Sequence, residues 1–466
     1  MQGTARGRAV SSTGGSVSPR DPLEICKQLV DMAIDAGAEQ AEAMVESGRG
    51  VETNIESGEV HTVQSREETV FGLRVISQGS KAFVTANDVS ERSLADSIKE
   101  ALAQASVIPA DEANAFAPTG DSTTVEGLYD PAIEEMTVAD SSRLAAALAE
   151  AVKSRDPRVT IDSGSVSFSI ERSALVNSLG IEKAKSATMA GGSLFGMAVD
   201  GEDIASFDYD SESSCKLDGF EAALLKTADR FTDKCLAGLG AGEGLSYRGP
   251  VVLSPEAVAE FLLSNLMGAL CADTVRKGRS PLADKLEQVI ACEAFSLVDD
   301  ATLDSMVTSS PFDREGVATA KTTIIEDGRL RTFLFNQHEA TLTGGDARST
   351  GHAAGSASSP PGIGPSYLEL AAGEESNLLA SDGGPVVLVN RFSGSTNAVT
   401  GDFSGVVKNG FLVENGQRRP IRETMIAGNL FEALRDISAL SSERRLVGSS
   451  ALVPSARIEN VSVTAG

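Results

Sequence analysis

The segment Asn397-Ala398-Val399-Thr400-Gly401-Asp402-Phe403-Ser404 sets a hydroxyl, a φ-permissive glycine and a carboxylate side by side. Thr400-Gly401-Asp402 in that order suits a tight turn or a hold on an extended peptide, and Asp402 capping a turn accounts for it equally well. Further along, Asn415-Gly416 lies between strand-like residues and reads as a two-residue hairpin turn. Asp327-Gly328 gives the same signal upstream. The chain from about Tyr247 onward is therefore read as β-rich, with one interruption. Residues 344–365, GGDARSTGHAAGSASSPPGIGP, are too rich in Gly, Ser and Pro for a regular element and form a long flexible stretch of the kind that is functional or disordered.

Toward the N-terminus the pattern alternates between helix and sheet. Asp21-Pro22-Leu23-Glu24 combines an N-cap, a proline at the first helical position and a reciprocal glutamate, and Ile25, Leu29, Met32, Ala33 and Ala36 give the helix one apolar face up to Gly37. Segments 51–55, 60–64, 70–76 and 81–85 alternate like strands, with turns at Ser57-Gly58 and Gln78-Gly79, and Ser90 to Ala105 is helical again. A second block repeats the order, with a helix near 138–154, strands at 165–173, 180–188, 193–199 and 204–209, and a helix over 219–236. The fold class is α+β: N-terminal α/β layers with antiparallel sheets, then a β-rich C-terminal domain. Boundaries fall at 1–20, a disordered extension, then 21–125, 126–241 and 242–466.

Composition narrows the function. Hydrophobic residues make up 41% and charged residues 23%, as in ordinary globular proteins, while the net charge of −26 repels phosphate backbones. Nucleic-acid binding is excluded on that ground. No run approaches the roughly 18 to 20 apolar residues that span a bilayer, and no secretory h-region is present, so no membrane contact and a cytoplasmic location are expected. The five cysteines are widely spaced, without a C-x-x-C pair, and read as reduced, mostly buried thiols.

The C-terminal segments also carry a family likeness. Asn397 to Ser404 resembles the N-x-x-T-G-D-F-S segment of the TldD/PmbA family, Gly410 to Gly416 its hairpin, and Glu423 to Leu430 its following helix entry. Pro250 to Pro255, Phe312 to Thr319 and Ser349-Thr350-Gly351 fall in the corresponding order upstream, and Gly48 to Val75 resembles the first sheet. The likeness covers nearly everything after residue 20, and its specificity lies in the order of several segments.

That resemblance implies a zinc motif, H-E-x-x-x-H, on the helix after the Pro250-to-Pro255 strand in the TldD-type subunit. Here the helix has Ser254 as N-cap and Pro255 at its first position, and Ser264, Asn265 and Ala269 stand where the His, Glu and His would be. None of the three supplies the imidazole or carboxylate that a zinc peptidase requires. Leu266 and Met267 read as an apolar contact surface instead. The three histidines, His61, His338 and His352, have no ligand spacing, and no nucleophile elbow is present. Asp208, Asp210 and Glu212, and Asp299 with Asp300, read as solvated loops.

The resemblance thus implies a metal-less, TldE/PmbA-type subunit, not catalytic alone and without a cofactor, beside a TldD-type partner that carries zinc. The substrate implied is an unfolded peptide, in peptide maturation of ribosomally made peptides or in proteolysis. Candidate substrate-binding residues are Ser349, Thr350, Gly351 and His352, with Asn397, Thr400, Gly401, Asp402 and Phe403. A homodimeric, non-catalytic peptide-binding or scaffolding protein is the alternative.

Overall fold

The structure is a computed structural model that describes residues 20–380 and 383–466. All but the last residue of the expected N-terminal extension lies outside that range. Helix α1 (Pro22–Asp35) starts on the predicted cap, with the Asp21 carboxylate accepting from the Leu23 amide, and the chain turns away just past it at Gly37, whose φ of 104° only glycine adopts readily. The strands β1 (Gln40–Glu56), β2 (Glu59–Ser77) and β3 (Ser80–Ala86) follow, then α2 (Glu91–Ala105). The next block holds α3 (Pro131–Glu134), α4 (Val138–Arg155), β4 (Val159–Asn177), β5 (Glu182–Asp200), β6 (Asp203–Ile204), β7 (Asp208–Ser214) and α5 (Phe220–Ala237).

Both hairpin turns read from the sequence form, with Ser57 and Gly58 at φ 51° and 77° and Gln78 and Gly79 at 51° and 74°. The strands they join are longer than their apolar alternation. Segments read separately at 60–64 and 70–76 are one strand of 19 residues, and those at 180–188 and 193–199 are another of 19. The physical reason lies in the ladder: β2 is hydrogen-bonded along its length to β1, and β5 to β4, so polar and glycine positions stay extended without an apolar pattern.

The two blocks share one antiparallel seven-stranded sheet, ordered β3-β2-β1-β4-β5 with β6 and β7 both pairing to β5. Ala41, Ala43 and Val45 of β1 pack beneath α1 and α2, while Val51 belongs to the core that α4 and α5 close. These positions share one parity, so the four long helices cover one face of the sheet. Even-numbered side chains of β1 point to the opposite face.

After β8 (Gly242–Glu243) and β9 (Tyr247–Leu253) the chain builds a 14-stranded sheet around the strand Ala451–Ala465, which pairs with β9 and with strands 368–370, 424–429 and 437–447. The predicted hairpins at Asp327-Gly328 and Asn415-Gly416 are present, with φ of 50° and 74°, and 50° and 76°. Phe312 and Ala357 meet Met44 and Leu175 on the uncovered face of the first sheet, which joins the C-terminal domain to it.

Three expectations are corrected. Leu266 and Met267 are buried, 0% and 3% exposed, in the C-terminal core rather than forming a contact surface. Within residues 344–365 Ala357 is fully buried against Met44 and Leu175 of the first sheet, and Ala353–Ala354 pairs with Gly362–Ile363. Asp208, Asp210, Asp299 and Asp300 are all buried. Asp210 is neutralised by Arg230 at 2.8 Å, Lys234 at 2.9 Å and Arg445 at 3.4 Å, and Asp208 accepts from the Asn409 amide. No described helix is long and apolar enough to cross a membrane.

Candidate functional site

The uncovered face of the first sheet carries a groove of about 470 Å³ over the middle of β1. Its floor follows from the register. Gly48 pairs with Glu68 of β2 and Glu171 of β4, and Gly50 with Arg66 and Ser169, so the central strand offers no side chain between two flanking rows. The two glutamates face each other across strands two spacings apart, roughly 9–10 Å. Glu46 and Glu52 continue the acidic lining, and of the two arginines there, Arg49 is held by Glu134 at 3.3 Å. Ser356 and Ser358 of the packed loop also line it.

A second cavity of about 360 Å³ continues from it, sharing Glu46, Glu171 and Ser356, and reaches Lys185, Asp313, Gly351 and His352. Burial raises the Glu46 carboxyl above its usual range, against the Ala357 amide that donates to it at 3.1 Å. Burial also lowers Lys185, whose ammonium donates to Ser310 Oγ at 3.1 Å. Asp313 is pushed up to about 7 by burial and then by the neighbouring Glu315 charge.

Behind these cavities lies an ionic hub. Arg74 binds Glu42 at 2.6 Å and Glu315 at 3.1 Å, and Arg314 binds Glu42 at 3.1 Å. All four are at most 3% exposed. Arg314 Nε also donates to the Ser356 carbonyl at 2.8 Å, so the hub fixes the loop that walls the groove.

The candidate residues divide between two places. Gly351 and His352 line the second cavity. Thr350 Oγ1 meets His352 Nδ1 at 2.9 Å, and His352 Nε2 meets Asp299 Oδ2 at 3.0 Å. This resembles a nucleophile, base and orienting acid, but Thr350 Oγ1 is already engaged by the Phe335 amide at 2.9 Å and carbonyl at 3.2 Å. Ser349 Oγ turns to the same carbonyl at 3.4 Å. The chain fixes a loop here; it does not free a hydroxyl.

Asn397 to Asp402 form the turn between strands 391–396 and 402–408. Asn397 Oδ1 accepts from the Val399 and Thr400 amides, Thr400 donates to Asp402 at 2.8 Å, and Asn429 donates to Asp402 at 3.0 Å. Those two bonds, Asn429 first, hold the exposed Asp402 carboxyl below its usual range. Gly401 has φ 82°, and an added Cβ would strike Phe431. Phe403 is buried and lines a different cavity of about 220 Å³, and its ring meets Phe261 edge to face with centroids 4.9 Å apart. None of these residues reaches the groove.

The helix after β9 begins as read, with Ser254 Oγ accepting from the Ala257 amide, and then passes through a π-helical turn, Val258–Leu263, into Ser264–Leu270. Ser264 is exposed, Asn265 donates to the Phe261 carbonyl at 2.6 Å, and Ala269 is 4% exposed. This donor set does not fit zinc, for it contains no imidazole, thiolate or carboxylate. Among the described residues no group of three or more His, Cys, Asp or Glu is placed to hold a metal ion.

Comparison with known proteins accounts for this architecture. Three domain models match in chain order: PmbA/TldA metallopeptidase domain 1 over residues 41–106, the central domain over 131–239 and the C-terminal domain over 246–465. The chain belongs to the PmbA/TldD family. Its relatives include metalloprotease PmbA of Escherichia coli O157:H7, 26% identical over 90% of this chain and 92% of that protein. An uncharacterised protein of Methanocaldococcus jannaschii is 28% identical over 84% and 89%. The crystal structure of TldE from Thermococcus kodakarensis shares the fold, with a TM-score of 0.84, 21% identity and coverage of 94% and 100%.

Within this PmbA/TldD architecture the groove residues Glu46, Gly48, Gly50, Glu68 and Glu171 were not singled out from the sequence. One signal was there to use. Glycines at alternate positions of a strand mark a face from which side chains have been withdrawn, often for a close approach.

Proposed function

We propose that this chain is the non-metal-binding, TldE/PmbA-type subunit of a heteromeric TldD/TldE-type zinc metallopeptidase acting on unfolded peptides. The observation that carries the reading is the helix Ser264–Leu270, which occupies the metal-bearing position in the family resemblance and offers Ser264, Asn265 and Ala269 in place of ligands. Catalysis then resides in the partner. This chain contributes part of the substrate cavity, with Gly351 and His352 beside the groove over Gly48 and Gly50, while Phe403 supports the inert helix through Phe261.

An extended peptide suits such a surface. β3 covers β2 only over Phe71–Ser77, so the outer backbone edge of Glu59–Val70 has no strand partner among the described residues. Main-chain hydrogen bonding along an open edge gives affinity with little demand on sequence.

Co-expression with a TldD-type subunit, followed by size-exclusion chromatography and metal analysis, tests the assignment. The expected result is a stoichiometric complex with zinc in the partner only. Zinc bound by this chain alone, with peptidase activity lost on chelation, would overturn it. A homodimer indifferent to the partner would favour a peptide-holding protein instead.

A further inference from the structure

On the other side of the packed loop a third cavity, of about 340 Å³, opens between β3 and the C-terminal domain. Its carboxylates are already neutralised. Asp273 is held by Lys277 at 2.8 Å, Glu315 by Arg74 at 3.1 Å and by the Gln337 amide at 2.7 Å, and Glu339 by Arg276 at 2.7 and 2.9 Å. Two groups remain over. The Lys81 side chain is half-buried on β3 and makes no hydrogen bond or ion pair among the described residues. His338 Nδ1 is buried without a partner, and its Nε2 lies 3.8 Å from Asp111 Oδ2, too far for a hydrogen bond.

A buried polar atom left unpaired costs stability, of the order of 1–3 kcal/mol, so the cavity that leaves His338 Nδ1 without a partner beside the unpaired, half-buried Lys81 ammonium is incomplete by itself. What is lacking is an acceptor of negative charge. Phe83, Pro361 and Ile363 supply an apolar wall beside them, which favours an anion attached to an apolar group over a bare inorganic ion.

We infer that this cavity binds the free α-carboxylate of a peptide C-terminus, with the Lys81 ammonium and the His338 ring as donors and the last side chain against Phe83 and Ile363. Burial lowers the pKa of Lys81, and burial followed by the Lys81 charge lowers that of His338, both of which a bound carboxylate would offset. The inference does not depend on the subunit assignment, because every group belongs to this chain.

The test uses the full-length chain and trinitrobenzenesulfonate, which modifies unprotonated amines, with Lys81 labelling read by peptide mass spectrometry. N-acetyl-alanyl-leucine, its C-terminal amide and inorganic phosphate are compared as protectants. The free acid, at a concentration about ten times its Kd, should slow Lys81 labelling about tenfold, while the amide leaves it unchanged. Equal protection by the amide, no protection by the acid, or protection by phosphate alone would each overturn the assignment. A second readout follows the imidazole nitrogens by NMR. The acid should shift His338 but not the exposed His61, and the shift should vanish in Lys81→Gln; a shift that persists in that variant sinks the proposal.

Discussion

Phe312–Thr319 and Asn397–Ser404 are both short, polar and part of the same family likeness, yet the structure uses them in opposite ways. The first is buried at the junction of the two sheets, where Asp313, Arg314 and Glu315 are each at most 8% exposed. The second is a surface turn whose polar atoms satisfy one another. Similar residue types thus carry very different energetic weight. A buried charge depends on partners from distant chain segments, whereas an exposed one can fall back on water.

The largest expected effect comes from the buried side. In Arg74→Met, among the described residues Glu42 keeps Arg314 alone and Glu315 is left without an ion pair, and both carboxylates are 1% exposed. Breaking a buried pair by removing one partner costs roughly 3–5 kcal/mol. Urea denaturation should show a fall of that order in unfolding free energy. A loss within experimental error would show that the hub relaxes or is solvated, and the contrast between the two regions would collapse.

The same region should respond to pH with a definite sign. Burial, followed by Glu315, raises Asp313 from 3.8 to about 7 in the folded chain. Between those values the folded state holds a proton that the unfolded state has released, so the contribution of Asp313 to stability is present below about pH 4 and is lost as pH rises through about 7. Carboxylates with lowered pKa, such as Asp210 and Glu256, have the opposite slope and act at lower pH. Denaturation midpoints of wild type and Asp313→Asn, followed from pH 4 to 8, should therefore diverge: the wild type loses stability relative to the variant across that window. Parallel curves would mean that the three amides donating to Asp313 already keep it ionised.

How far all this could be read from sequence depended on whether the signal was local. Asp21 and Pro22 specify a helix start by themselves, and Asn415-Gly416 specifies its hairpin, so both were legible. The likeness of Asn397 to Ser404 placed the family without showing what the residues do. The groove was not legible, because Gly48, Glu68 and Glu171 come together only through the register of three strands. Burial of Asp208 and Asp210 was missed for a related reason. In a chain of net charge −26 an acid reads as solvated, and the groups that allow burial come from other elements: Lys234 of α5 and Arg445 of the strand 437–447 for Asp210, and Asn409 for Asp208.

The smallest effects belong to the surface turn, and they separate its backbone from its side chains. Gly401 holds φ 82° against the Phe431 ring, so Gly401→Ala meets both left-handed strain and a clash. Left-handed strain alone costs an L-residue roughly 1–2 kcal/mol. Asp402→Ala removes only an exposed acceptor from Thr400 and Asn429, and water can replace it. The denaturation midpoint should therefore drop measurably for Gly401→Ala and stay in place for Asp402→Ala. If the Asp402 substitution proved as costly as the Gly401 one, the carboxylate would be supporting the hairpin. If it left stability untouched but weakened peptide binding in a complex with a TldD-type subunit, Asp402 would belong to a peptide-contacting surface separate from the groove over Gly48.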